Sequence, residues 1–247
     1  MASAGRQRWA DAQDSEAAFW NGARRDAWVV AATVLHQVEV ARWVLGCPAA
    51  GQDVLQGFSR CAEFGAGPLG IGLLAFLPLA ATAELIAVDP LSPMDVDGVP
   101  PGLIALVREC RQDPRLRRLV AVAEQSGLAD ESCDLVACVN MLDHTAAPAA
   151  VLREVWRVLR PGGLLLLACD VVSVVSRLRQ TLWASRASAL VRAHPFRFSA
   201  TELLGLVRVS GFVIEGATPA PLHWALAGRV RNRYVLARKP QPGGRAA

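Results

Sequence analysis

Between residues 63 and 70 the chain reads Glu-Phe-Gly-Ala-Gly-Pro-Leu-Gly, and Asp89 follows 19 residues after the last of these glycines. Val54 to Cys61 leads in with mixed apolar character, Leu69 to Leu79 is a nearly uninterrupted apolar run, and Leu85-Ile86-Ala87-Val88 ends on the aspartate. The run predicts a buried helix over about 68–77, with Pro68 at its first position, where no N–H is missed. Strand, glycine turn, helix, strand, acid is the first half of a nucleotide-binding α/β unit. Glycines let backbone approach a ligand closely, and a helix N-terminus offers free N–H groups to its anionic end. An acid at the end of the second strand is placed to accept hydrogen bonds from ribose hydroxyls.

Glycine triplets also serve tight turns, so three further stretches matter. Residues 123–136, Ala-Glu-Gln-Ser-Gly-Leu-Ala-Asp-Glu-Ser-Cys-Asp-Leu-Val, run from the end of one strand into the next. Asn140-Met141-Leu142-Asp143-His144 follows. Leu152 to Arg160, then Pro161-Gly162-Gly163, closes the unit ahead of the apolar run Leu164 to Ala168. In this order and at this spacing, the four stretches resemble the class I S-adenosylmethionine-dependent methyltransferases, in particular their small-molecule branch. The resemblance covers residues 54 to 170 strongly and the remainder in outline. A nicotinamide-dependent oxidoreductase shares the glycines and the acid but not the Leu-Arg-Pro-Gly-Gly turn.

The fold this implies is α/β, a Rossmann-like, mostly parallel seven-stranded sheet with a terminal antiparallel strand pair and an N-terminal helical lid. Pattern places strands at about 59–64, 84–88, 117–123, 134–139 and 164–169, with helices at 102–111 and 148–159. Ser199 caps a helix, with Glu202 at the capping-box position. Gly211 to Glu215 and Arg233 to Ala237 supply the last two strands, and Val171 to Arg192 reads as helical. The organisation expected is a tail and lid over 1–50, a core over 51–240 with inserts near 171–198 and 218–230, and a disordered tail over 241–247. Within 15–45 a helical pattern breaks at Gly22 and carries Trp20, Trp28 and Trp43, a concentration of aromatic surface suited to covering a pocket.

Methyl transfer asks little covalent help of a protein, because alignment and water exclusion supply most of the rate. The resemblance implies that Glu63 and the backbone of Phe64, Gly65, Ala66, Gly67 and Gly70 hold the methionine end of S-adenosylmethionine. It further implies Asp89 on the ribose, Pro90 and Leu91 on adenine, Ala123 and Glu124 at the adenine edge, and Asn140 near the methionine end. Relatives often carry Asp or Arg just before that Ala-Glu pair, where this chain has Val122. Asp143-His144, just after the fourth strand, is the candidate general base, a histidine backed by a carboxylate. His194 and His223 are second-line candidates, and His36 reads as packed or exposed on the N-terminal helix.

The chain is 53% hydrophobic and 19% charged, enough to build a large core. Phe64 to Ala83 holds no charge and is long enough to span a membrane, but its glycines and prolines speak against that, and Met1 to Glu16 lacks the apolar run of a signal peptide. Six cysteines without a CxxC pair suggest a reduced cytoplasmic setting and no metal site. The charge of +4 comes from dispersed arginines rather than a basic stripe, so neither nucleic acid nor a membrane is called for as a partner. The expected partner is a small, apolar or aromatic acceptor, plausibly of secondary metabolism, methylated on oxygen or nitrogen with S-adenosylhomocysteine as product. A homodimer is left open. The rival reading is a methyltransferase fold that binds the cofactor without methylating.

Overall fold

The computed structural model describes residues 13–14, 16–22, 26–70, 72–91, 93, 100–173, 196–219 and 231–243. Its strands are β1 (Arg60–Phe64), β2 (Glu84–Val88), β3 (Leu116–Leu119), β4 (Cys133–Val139), β5 (Leu159–Val171), β6 (Val213–Ala217) and β7 (Arg231–Arg238). They form one sheet in the order β3-β2-β1-β4-β5-β7-β6. β1 to β5 pair in parallel, while β7 runs antiparallel between β5 and β6. β4 is buried along nearly its whole length, as a central parallel strand covered on both faces must be.

Helices α1 (Ala27–Leu45), α2 (Gln52–Gln56), α3 (Pro101–Arg111), α4 (Pro148–Val158) and α5 (Ala200–Val209) flank the sheet. The pleat sends alternate side chains to opposite faces, and the core divides accordingly. Ala62, Ile86, Val136, Leu165 and Val235 meet α4 and α5 through Val151, Val155, Leu203 and Val207. Cys61, Leu85, Leu135, Leu166 and Leu236 meet α1 through Val40, Ala41 and Val44. The capping box at Ser199 and Glu202 is formed in both directions, and it starts α5 where the sequence places it.

α1 begins at Asp26, whose carboxylate accepts from the backbone N–H groups of Trp28 and Val29. Its buried stripe is Val30, Val34, Gln37, Ala41 and Val44, at steps of four and three, with Val40 beside it. Trp28, Leu35 and Val38 lie on the other side and are exposed. Ahead of α1, residues 16–22 are also helical.

The expected helix at 68–77 is the main departure. Gly65, Gly67 and Gly70 all have positive φ, at 76°, 70° and 67°, so no continuous run of right-handed backbone can start there. A turn follows β1, and the apolar run then makes only a four-residue 3-10 helix, Leu73–Phe76. Pro68 therefore sits in a turn rather than at a helix start. Arginines hold the turn from outside. Arg111 donates to the carbonyls of Leu69 and Pro68, and Arg118 donates to that of Gly70. β3 also stops at Leu119, four residues short of its expected end, and β5 takes in the Leu-Arg-Pro-Gly-Gly stretch expected to be a turn. The helical reading of 171–192 falls outside the described residues except at its first three positions, as do most of the 218–230 insert and the last four residues of the tail. No helix of the described residues is long and apolar enough to cross a membrane.

Candidate active site

The C-terminal ends of β1 to β4 open into a cavity of about 760 Å³. In parallel α/β sheets this edge is where ligands sit, because the loops there diverge and leave a crevice. Gly65, Ala66 and Gly67 floor the cavity beyond β1; Asp89, Pro90 and Leu91 line it beyond β2. Val122, Ala123 and Glu124 line it after β3, and Asn140, Met141 and His144 after β4. The remaining wall comes from the N-terminal helices, through Glu16, Trp20, Trp28, Val29, His36 and Gln37 among others.

The carboxylate of Asp89 stitches the floor together. Its Oδ2 accepts from the Gly67 N–H at 2.8 Å, and its Oδ1 accepts from the Leu91 N–H at 2.8 Å. One lone pair on each oxygen is thereby used, leaving the other for a ligand. Burial raises its pKa, against the opposing pull of those two amides. Asn140 holds positive φ, 48°, a conformation asparagine tolerates better than most residues, as the chain turns away from β4. The Glu124 side chain spans the cavity edge and accepts from the Ala146 and Ala147 N–H groups just before α4.

Three residues expected at the methionine end do not line the cavity. Phe64 is fully buried in the sheet core. Gly70 packs against the Arg118 guanidinium. Glu63 is turned beneath the loop, where its two oxygens accept from the Leu73 and Leu74 N–H groups at 2.8 and 3.1 Å. It thus takes up the first two amides of the 3-10 helix, which have no partner within that helix.

Asp143 and His144 fall in a 3-10 turn, Leu142–His144, not in extended chain. His144 faces the cavity, while Asp143 is buried behind it with Oδ2 3.9 Å from His144 Nε2. The other ring nitrogen, Nδ1, lies 3.4 Å from Glu16 Oε2. Glu16 also accepts from Trp20 Nε1 at 2.7 Å, so one carboxylate ties the leading helix to the loop after β4. Nothing local in the chain signals Glu16, because its partner His144 lies far away in the sequence. His36 lines the cavity rather than packing elsewhere on its helix, and His194 and His223 lie outside the described residues.

A sequence profile described as a methyltransferase domain matches residues 63–167, the span that carries β1 to β5 and the cavity floor. Residues 63–167 thus match a methyltransferase domain, and the seven-stranded sheet around them has the Rossmann-like methyltransferase fold. An uncharacterised methyltransferase of Mycobacteroides abscessus is 34% identical over 109 residues, 44% of this chain and 39% of that protein. Thiol S-methyltransferase TMT1B of Mus musculus is 52% identical over 50 residues, 20% of each chain. The chain thus matches well under half the length of either curated relative. Among solved structures, Burkholderia thailandensis 1,6-didemethyltoxoflavin-N1-methyltransferase superposes with a TM-score of 0.59 at 18% identity, covering 95% of this chain and 90% of that one. At that identity the likeness concerns the fold.

S-adenosylmethionine is the cofactor that the methyltransferase domain implies, and the cavity residues fit it. A Cβ added at Gly67 would meet nothing within 4 Å, so this bare backbone faces open space beside Asp89. Asp89 retains acceptor capacity for a diol, and Pro90 and Leu91 follow it on the cavity wall. Glu63 is the exception, since its carboxylate is already engaged.

That engagement has a pH consequence. Burial pushes the Glu63 carboxyl from its usual 4.5 up to about 7, with the Leu73 and Leu74 amides pulling the other way. Between those values the folded chain holds a proton that the unfolded chain has shed. Its contribution to stability is therefore full below pH 4.5 and lost as pH rises through about 7. Glu63→Gln carries no such proton. From about pH 5 to 7.5 the urea midpoint of the wild type is expected to fall relative to that of the variant. Parallel pH profiles would clear Glu63 of the effect.

Proposed function

We propose that this chain transfers the methyl group of S-adenosylmethionine to an oxygen, or failing that a nitrogen, of a small apolar or aromatic molecule in a biosynthetic setting. One observation carries the reading: a single cavity joins the glycine floor and Asp89 to an aromatic wall of Trp20 and Trp28. At about 760 Å³ it lies in the upper part of the usual range of about 300 to 1,000 Å³, room for a cofactor and a small second molecule. The cysteines of the described core are free thiols, which supports a reducing, cytoplasmic location.

When bound, the cofactor supplies an electrophilic methyl group on a sulfonium. The residues of the chain then have three tasks. Asp89 and the Gly65–Gly67 backbone fix the adenosyl amino acid, so that the methyl points into the cavity. The helices carrying Trp20 and Trp28 act as the lid, covering the acceptor and excluding water. His144, steadied by Asp143 behind and Glu16 in front, takes the proton that an acceptor hydroxyl loses as its oxygen bonds to the methyl carbon.

The reading is tested by incubating the protein with methyl-labelled S-adenosylmethionine and a panel of phenols, aryl amines and aryl thiols. Label transfer to a phenol or amine, with S-adenosylhomocysteine formed in equal amount, is the expected result. Tight cofactor binding with no transfer to any acceptor would point instead to a fold kept for another task, and transfer to thiols alone would correct the acceptor atom.

A further inference from the structure

The buried stripe of α1 is apolar at every position but one. Val30, Val34, Ala41 and Val44 follow helical spacing, and the residue between them is Gln37, only 8% exposed. Its Oε1 is buried with no hydrogen-bond partner among the described residues, and so is Nε2 of its neighbour His36. Folded proteins leave few buried polar atoms unmatched, because each forfeits its hydrogen bonds to water and gains nothing in return. Two on consecutive residues, both lining the same cavity, ask for a partner that arrives from outside.

We propose that Gln37 and His36 form a polar reading site for the methyl acceptor, which is therefore an apolar or aromatic molecule bearing a hydroxyl or N–H that donates to Gln37 Oε1. The inference rests on the methyl-transfer reading of the cavity. The position of the pair separates it from the cofactor floor. The His36 ring lies 5.9 Å from that of Tyr234 on β7, whereas Asp89 ends β2, four strands away in the sheet order. At about 4.8 Å per strand, that is roughly 19 Å along the sheet. Chemistry suits a neutral ligand too. Burial lowers the His36 pKa from its usual 6.5, with Glu39 pulling the other way, which favours the neutral imidazole. Thr33, also on the cavity side of α1, is occupied, since its hydroxyl donates to the Val29 carbonyl at 2.9 Å.

A site built to hydrogen-bond a hydroxyl discriminates strongly against the same molecule without it. The test uses 2-naphthol and 2-methylnaphthalene, similar in size and differing in the donor, competed by ligand-observed NMR on protein saturated with S-adenosylhomocysteine. The wild type is expected to prefer the naphthol by about tenfold or more. Gln37→Leu and His36→Phe are each expected to bring that ratio to within about threefold of unity, with S-adenosylhomocysteine affinity unchanged. Gln37→Leu, which removes an unpaired acceptor from the stripe, is also expected to match or exceed the wild-type Tm in the absence of ligand. A wild type without the preference, variants that keep it, or a Gln37→Leu Tm well below the wild type's would each overturn the proposal. Failure of the wild type to bind S-adenosylhomocysteine at all would instead bring down the reading beneath it.

Discussion

Replacing Asp89 with alanine is expected to weaken S-adenosylhomocysteine binding by ten- to a hundredfold, about 1.4 to 2.8 kcal/mol by calorimetry. The side chain acts twice in the same place. It accepts from the Gly67 and Leu91 N–H groups and so fixes both walls of the cleft between them. Its remaining lone pairs face the cavity, where a ribose diol would donate to an ionised acceptor, and such bonds contribute about 1.5 to 3 kcal/mol each. Asp89→Asn separates the two roles. The amide keeps one acceptor but turns an N–H toward one of the two backbone donors, so an intermediate loss is expected. If Asp89→Ala binds as tightly as the wild type, the ribose is not at this carboxylate.

Gly65 and Gly67 are expected to fail in different ways when changed to alanine. Both have positive φ, so either substitution strains the backbone by about 1 to 2 kcal/mol. At Gly65 the new Cβ would also overlap Cβ and Cγ of Met141, side-chain atoms anchored close to their own backbone that can yield little. Strain and overpacking together give a destabilisation of about 2 to 5 kcal/mol, a Tm lower by on the order of 10 °C in a chain of this size. At Gly67 nothing lies within 4 Å of the added atom, so the stability loss stops at the strain. The methyl there intrudes on space that the account gives to the cofactor, and the loss appears in S-adenosylhomocysteine affinity. Equal effects of the two variants on both Tm and affinity would contradict this division of roles.

The sheet was legible where burial on both faces leaves an unbroken apolar run. Leu85 to Val88 and Leu135 to Val139 were readable in this way, and so was the start of α5, because the Ser199–Glu202 box is a local signal. The segment after Gly67 was not. Its apolar composition suits a buried helix, but composition is silent on φ, and left-handed backbone at three glycines decides the outcome. The same turn redirects Glu63 from the ligand side to the Leu73 and Leu74 amides. α1 could be read as a helix but not for its faces. Its aromatic and aliphatic residues occur all around, and the cavity beside it, rather than the core alone, determines that Trp28 forms an open part of the cavity wall while Gln37 is enclosed. The pairing of Glu16 with His144 joins distant parts of the chain and leaves no periodic trace. Of the candidate site, the residues at strand ends were thus legible, and those contributed by the N-terminal helices became visible only once the fold brought them to the cavity wall.

The most direct test of the cavity assignment is a crystal structure of the protein grown with S-adenosylhomocysteine. The ribose hydroxyls are expected on the Asp89 carboxylate, adenine beside Pro90 and Leu91, and the amino-acid end over Gly65 to Gly67, with the sulfur facing the aromatic wall. Density for the ligand at any other place on the molecule, or a cleft still empty at saturating concentration, would contradict it.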